Sequence, residues 1–448
     1  MKISLVKPCW KYPVNREDAT YNRIWMPLSL AYCATLLEAD GHEVTILDAH
    51  AERLKPKTLA ERCAQNDMIF LTTSSYDRWQ CPNVQIDPVL AACKSIREKN
   101  PNLFVMGYHG TVKPVEMLKN TGAMAIIRGE PELIVREVAG GKGLKKIEGL
   151  TFESNGDTIS TPDRPLTGME MLPVPSFRHL DMDKYTYEIL GDRCAVFEAS
   201  RGCPYTCSFC VKVMFGNRFR KKPVENLIEE VRIAVEDFGV KTGYFLDLEF
   251  TLNRKIVFGL CEFLKEKRYN FKWCCQTRAD KVDKEILTVM RESGCKIIHF
   301  GIESGSDALL GQHGKRTDVA SLEHGVKLAR KLGFKIVCFF LFGLPGETQE
   351  DRIRTIKLAK TLNPTYASFH IVHPYPGTEL YDMVKTSNGK LFPVTANGPV
   401  LNSKLEKSLR RALLSFYLRP SYIFNLLKSG AIQSPRQMMK IFLSRIKG

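Results

Sequence analysis

Cys203, Cys207 and Cys210 form a C-x3-C-x2-C run inside Arg201-Gly-Cys-Pro-Tyr-Thr-Cys-Ser-Phe-Cys210. Thiolates are the soft ligands that iron–sulfur clusters require. Three of them on one loop can hold three irons of a [4Fe–4S] cube. The fourth iron is then left without a protein ligand, which suits catalysis rather than closed electron transfer. Two plainer readings compete: three buried thiols, or half of a zinc site. A structural zinc ion would want a second close pair of ligands. Cys274 and Cys275 are adjacent and Cys295 stands alone, so no such pair offers itself. The 14 cysteines are irregularly spread, which does not read as a secreted disulfide framework. Free thiols and an oxygen-sensitive cluster fit a reducing cytoplasm.

With Phe209 just before its last cysteine, the run resembles the radical S-adenosylmethionine (SAM) enzymes. That resemblance implies that the open iron is chelated by the amino and carboxylate groups of SAM. It also implies that reductive cleavage of SAM yields a 5′-deoxyadenosyl radical.

Elements able to position such a loop follow in the sequence. Six strand-like runs, at 195–199, 243–246, 271–275, 296–300, 336–342 and 366–372, alternate with helical stretches. Six βα repeats suit a partial barrel, whose chemistry sits at the C-terminal ends of its strands. The cysteine loop follows the first of these strands. Asp247 and Glu249 follow the second, where a carboxylate could accept from the SAM ammonium. Arg278 follows the third, and a cation there could pair with a carboxylate. Glu303 and Ser304 follow the fourth, in Gly301-Ile-Glu-Ser-Gly-Ser306, which resembles a SAM-site segment of the family. Gly343 and Gly346 follow the fifth, and glycine allows close approach of backbone to a flat adenine. Taken singly, each is more simply a solvated charge or a turn. Their order after successive strands is what carries the reading. Tyr375, after the sixth strand, is read as packing.

The N-terminal part alternates in the same way. Strand-like runs at 3–6, 44–47, 68–71, 103–106 and 125–127 flank a helical stretch at 27–40 that stops at Gly41. Such alternation implies a doubly wound parallel sheet, with ligands bound beyond the carboxyl ends of its strands. Those ends carry Thr73-Ser74-Ser75, Gly107-Tyr-His109-Gly and Arg128-Gly129-Glu130. Together with Gly41-His-Glu-Val and Gly129-Glu-Pro-Glu132, the layout resembles the cobalamin-binding domain that precedes many radical SAM domains. The resemblance assigns Thr73, Ser74, Gly107, His109, Gly129 and Glu130 to the corrinoid. One departure stands out. The Asp-x-His-x-x-Gly loop that ligates cobalt in many such domains does not follow the first strand. Asp48-Ala-His50 comes after the second strand and ends in Arg53, so His50 reads as a loop residue and the lower cobalt face as lacking a protein histidine.

Composition limits the function classes. Hydrophobic content of 44% and charged content of 25% are those of a globular protein. The start, Met1-Lys-Ile-Ser-Leu-Val, reads as a strand rather than a signal peptide. Net charge is +16, of which +9 falls in residues 404–448. The remainder is too mildly basic for a nucleic-acid binder. The basic tail is either a helical cap with a solvated face or a surface helix on an anionic membrane. It resembles the tail of proteins similar to the anaerobic magnesium-protoporphyrin monomethyl ester cyclase.

The expected fold is therefore α/β in four parts. A cobalamin-type sheet spans 1–140, and a connector with a hairpin at Asn155-Gly156 and a proline-rich strap spans 141–190. A radical SAM partial barrel spans 191–385, and a basic helical region spans 386–448. The expected activity is cobalamin-dependent radical methylation of an unactivated carbon in a small-molecule or lipid-like substrate. A flavodoxin or ferredoxin would supply electrons, in the cytoplasm or at the membrane periphery. The alternatives are a radical cyclase or rearrangement enzyme on a tetrapyrrole or lipid-like substrate, and a non-catalytic cobalamin or iron–sulfur sensor.

Overall fold

The computed structural model describes residues 1–10, 24–74, 86–386, 394–395, 398–399, 403–422 and 424. Ser75 and the basic positions Lys428, Arg436, Lys440, Arg445 and Lys447 lie outside the described residues.

Two sheets dominate the chain. The first contains β1 (Lys2–Lys7), β2 (Glu43–Asp48), β3 (Met68–Thr72), β4 (Leu103–Met106), β5 (Ala125–Ile127), β6 (Leu150–Ser154) and β7 (Asp157–Ser160), in the order 2-1-3-4-5-6-7. Strands β1 to β5 run parallel. Their apolar runs are buried on both faces, as a parallel sheet covered by helices requires. The order 2-1-3-4-5 has its switch point between β1 and β3, and ligands of such sheets bind beyond it.

The Asn155-Gly156 hairpin forms as the turn chemistry dictates, with Asn155 at φ 54° and Gly156 at φ 87°. Its destination differs from the expected connector. Strand β6 pairs antiparallel with β5, so the hairpin extends the first sheet. Edge pairing satisfies the backbone groups that β5 would otherwise expose.

The second sheet is the partial barrel: β8 (Cys194–Phe197), β9 (Thr242–Phe245), β10 (Lys272–Thr277), β11 (Cys295–Glu303), β12 (Lys335–Phe342) and β13 (Tyr366–Ile371), in sequence order and all parallel. The helix Ser403–Tyr417 covers the edge strand β13 from outside. There Tyr417 Oη accepts from the Ala367 amide at 3.1 Å and donates to its carbonyl at 2.9 Å, while Tyr422 donates to the Thr365 carbonyl at 2.8 Å. Among the described residues no helix is long and apolar enough to cross a membrane.

The two sheets are joined by a buried seam. The helix Leu28–Ala39 is apolar nearly all round, because it packs against its own sheet on one side and the strap and barrel on the other. Its Tyr32 hydroxyl accepts from Lys222 at 2.7 Å, and Lys222 is ion-paired with Glu230 of the barrel's first helix. Ser176 and Val174 of the proline-rich strap bond back to Ala31 and Thr35. Beneath the β1 and β2 ends, buried Lys7 pairs with Asp48 at 3.3 Å, and Asp48 also accepts from Tyr185 of the strap at 3.1 Å.

His50 is a buried structural residue whose Nδ1 accepts from the Trp10 amide at 2.9 Å. Burial first, then the nearby Lys7, lowers its pKa from 6.5 to about 4. The unfolded chain therefore takes up this proton first. The stabilising share of His50 is full above pH 6.5 and is lost as pH falls toward about 4. The scale is about 1.4 kcal/mol per pKa unit. Replacing His50 by Gln should flatten the decline of the denaturation midpoint across that window. An unchanged acid slope would contradict the assignment.

Candidate active site between the two sheets

The cysteine loop leaves β8 and crosses the mouth of the barrel. Gly202 opens it at φ 77°, and a side chain there would run into the Arg218 and Phe215 carbonyls. The far side of the loop is sewn to the segment after β11. Ser208 Oγ meets His313 Nδ1 at 2.8 Å, His313 Nε2 meets the Pro345 carbonyl at 2.9 Å, and the Ser208 amide donates to the His313 carbonyl at 3.1 Å.

Burial raises the pKa of Cys203, Cys207 and Cys210, and the thiols repel one another when charged. Lys212 works against that rise at all three, and Lys315 and Arg278 add to it around Cys207. Among the described residues no three His, Cys, Asp or Glu side chains gather as for one metal ion. Buried, cation-flanked thiols on one loop form a soft donor set that fits an iron–sulfur cluster.

The residues expected around SAM sit at successive strand ends, but their side chains differ in availability. Asp247 lies under the first turn of the cysteine strand. It accepts from the Ala199 amide at 3.1 Å and from the Ser200 hydroxyl, and burial pushes its pKa up to about 7. Glu249 has both oxygens engaged, one by Thr251 and Thr277 and the other by the Arg278 amide at 2.7 Å. It shapes the third strand end rather than offering an open acceptor. Arg278 stacks on Tyr205 of the cysteine loop at 4.1 Å and forks onto Asp280 at 2.9 and 3.0 Å. Glu303 ends β11 in a left-handed conformation at φ 66° and pairs with buried Lys315 at 2.9 Å. Such a backbone is costly for a non-glycine residue, and it aims the carboxylate across the strand ends. Ser304 caps the next turn, accepting from the Ser306 amide at 3.2 Å. Gly343 and Gly346 both lie at φ above 80°, and the Gly343 amide donates to Glu347 at 2.7 Å.

At the first sheet, Gly107 (φ 104°) faces a shelf of hydroxyls. A side chain there would come within 2.9 Å of Ser74 Oγ and Thr73 Oγ1 and 3.1 Å of Thr72 Oγ1. The expected loop Gly107–Gly110 is instead the start of a short helix, Tyr108–Val112. The Tyr108 and His109 amides donate to Ser74 Oγ and Thr73 Oγ1, both at 3.2 Å, and His109 Nδ1 lies 3.1 Å from the Thr73 carbonyl. His109 thus shapes the turn. Gly129 (φ 74°) donates its amide to Thr111 at 2.9 Å. The Glu130 carboxylate is taken up by arginines of the barrel side. It is buried against Arg220 at 2.6 Å and Arg201 at 3.3 Å, because a carboxylate denied water needs cations more than it can serve a neutral ligand.

The two sites touch. Tyr108 donates to the Pro376 carbonyl at 2.7 Å, Thr111 Oγ1 lies 3.2 Å from Met214 Sδ, and Tyr108 meets Tyr375 edge-on at 6.4 Å. The hydroxyl shelf of the first sheet therefore faces the segment after β13 and the cysteine loop. Inside the barrel, rings of Tyr244, His299 and Phe339 follow one another at 5.0 and 6.1 Å. Sequence reasoning missed Lys315, His313, Tyr205 and Arg220, and treated Arg201 only as the start of a motif. Most of their partners are distant in sequence, such as Ser208 for His313 and Glu130 for Arg220, so no local spacing announces them.

The radical SAM superfamily model matches residues 197–359, and the B12 binding domain model matches residues 18–139. An uncharacterised methyltransferase of Pyrococcus horikoshii is 34% identical over 94% of each chain. The chain belongs to the cobalamin-binding radical SAM enzymes. The anaerobic magnesium-protoporphyrin IX monomethyl ester cyclase of Rubrivivax gelatinosus is 27% identical, over 80% of this chain and 66% of that one. The fold is that of the radical SAM methyltransferase TsrM from Kitasatospora setae, a structure with cobalamin and a [4Fe–4S] cluster bound. The TM-score is 0.70 at 20% identity, covering 87% and 76% of the two chains. The cobalamin-dependent radical enzyme OxsB matches at TM-score 0.75 and 16% identity, covering 98% and 70%. Members of this family use a [4Fe–4S] cluster, SAM and cobalamin.

Gly314 tests how the loop is held. It lies at φ 68°, and a methyl group on it would run into the Thr206 carbonyl beside Cys207. Gly314→Ala should lower the iron incorporated per chain on anaerobic reconstitution while the far-ultraviolet circular dichroism stays as in the parent. Full iron loading would show that the loop tolerates displacement.

Proposed function

We propose that this enzyme methylates an unactivated carbon of a small-molecule or lipid-like substrate. In this reading Cys203, Cys207 and Cys210 hold the [4Fe–4S] cluster. Arg278, Glu303, Gly343 and Gly346 border SAM, with Asp247, Glu249 and Ser304 setting the strand ends behind them. Thr73, Ser74, Gly107, His109 and Gly129 form the shelf for cobalamin. When bound, the cluster and SAM supply a carbon-centred radical and the corrinoid supplies a methyl group.

The protein's own contribution is placement. The contact of Tyr108 with Pro376 is the observation that carries the reading. It supports a corrinoid shelf that faces the barrel side, from which hydrogen removal and methyl delivery would address one substrate carbon. Lys315, Arg278 and Lys212 offset the charge of the thiolates in a buried site. Tyr375 and the short helix Tyr108–Val112 help to enclose the substrate, which holds the reacting carbon in place. Relatives named as methyltransferases support this reading, among them the cytidylyl-2-hydroxyethylphosphonate methyltransferase of Streptomyces wedmorensis, 25% identical over 80% of this chain. The likeness to the anaerobic cyclase favours, as a second reading, oxidative ring formation at the same site.

Two measurements test the proposal. Anaerobically purified protein should show iron–sulfur and corrinoid absorption together, and Cys203→Ala, Cys207→Ala or Cys210→Ala should abolish the former and all SAM cleavage. SAM carrying an isotopically labelled methyl group, incubated with reduced enzyme and metabolite extract, should yield a labelled product one methylene heavier than its precursor. Deoxyadenosine formation with no labelled product would reject methylation and leave the cyclase reading.

A further inference from the structure

Arg201 precedes the cysteine loop by one residue, and its side chain is fully buried. It touches carboxylates from both sheets. Glu132 accepts from it at 2.8 Å and Glu130 lies at 3.3 Å, both from the turn after β5. Glu198, on the barrel side, accepts from its Nε at 2.9 Å. Arg220, which returns after the loop, forks onto Glu130 at 2.6 and 3.0 Å and reaches the Phe215 carbonyl at 3.2 Å. Phe215 in turn lies under the Arg201 guanidinium at 5.5 Å. Both ends of the cysteine segment are thus tied to one turn of the first sheet.

That turn is also tied to the corrinoid shelf. Gly129, beside Glu130, donates to Thr111, and Thr111 donates to the Gly107 carbonyl at 3.0 Å. Hydrogen bonds lead from Gly107 through Thr111 to Gly129, the chain carries on to Glu130 and Glu132, and their ion pairs reach Arg201, two residues before Cys203. Buried charges of this kind hold a geometry closely, since any displacement leaves a charge without a partner. Arginine suits the task because its planar fork reaches several carboxylates at once.

We propose that Arg201 is a positioning residue that sets the cysteine loop relative to the corrinoid shelf, with Glu132 and Glu130 as the interdomain arms. The function is registration of the two cofactors rather than general stability. The proposal rests on both cofactors binding as described above, and the absorption spectrum of the parent protein checks that separately.

The experiment compares Glu132→Gln, which cuts an interdomain arm, with Glu198→Gln, which cuts the arm inside the barrel. Two readouts are taken. The first is amide hydrogen exchange of the segment 200–211 in anaerobic protein without added cofactors. The second is the dipolar interaction, by electron paramagnetic resonance, between cob(II)alamin and the reduced cluster in loaded protein. Glu132→Gln should speed exchange of that segment by roughly tenfold or more. It should also broaden or abolish the dipolar splitting at unchanged iron content. Glu198→Gln should keep the parental splitting. If Glu132→Gln does not fold, Arg201→Lys, which keeps the charge but loses the fork, is read in its place with the same expectation. Equal behaviour of the Glu132 and Glu198 variants, parental behaviour of Glu132→Gln, or no splitting in parent protein holding both groups would overturn the proposal.

Discussion

A guanidinium with no solvent exposure is the constraint around which this protein is arranged. Arg201 does not give up its proton and cannot reach water, so the fold must bring carboxylates to it. Those carboxylates come from two different sheets. Desolvating such a group costs several kcal/mol, and only good geometry offsets it. The docking of the first sheet on the barrel and the course of the cysteine loop are therefore satisfied together or not at all. Lys222 with Glu230 and Tyr32, and Lys7 with Asp48 and Tyr185, repeat the arrangement on a smaller scale.

This polar seam explains why the site has the shape it does. The chemistry belongs to cofactors, and the chain must hold them a fixed distance apart in a dry space. A purely apolar interface would bury area without fixing register, whereas ion pairs with unique partners allow one arrangement. The helix Leu28–Ala39 supplies the apolar part, and the carboxylates after β5 supply the direction. Tyr108 against Pro376 adds a direct contact between the first sheet's loops and the segment after β13.

The strand-end positions of the candidate site were legible in the sequence because they depend on local chain. The cysteine spacing, the glycines at 107, 343 and 346, and the strand-end positions of Asp247, Arg278 and Glu303 all depend on short stretches of chain. Glycine at φ above 80° is a local demand, so its residue type announces it. Glu130 shows the limit. Its motif sits at a strand end in a ligand-binding fold, and that position alone suggested a corrinoid contact. Its partner Arg220 lies 90 residues away. The hairpin at Asn155-Gly156 was readable as a hairpin, but nothing in its own residues says that β6 adds to β5.

By itself the sequence determined the kind of chemistry, the two α/β units and the places where backbone must bend, since periodicity, turn residues and ligand spacing act over a few residues. Only the tertiary structure decided which charges face each other, that Glu249 and Ser304 are occupied by their own neighbours, and that the helix after Gly107 touches the segment after β13. Those outcomes depend on burial. Removing water makes a distant carboxylate the best available partner for a cation, and no pattern along the chain records which one it will be.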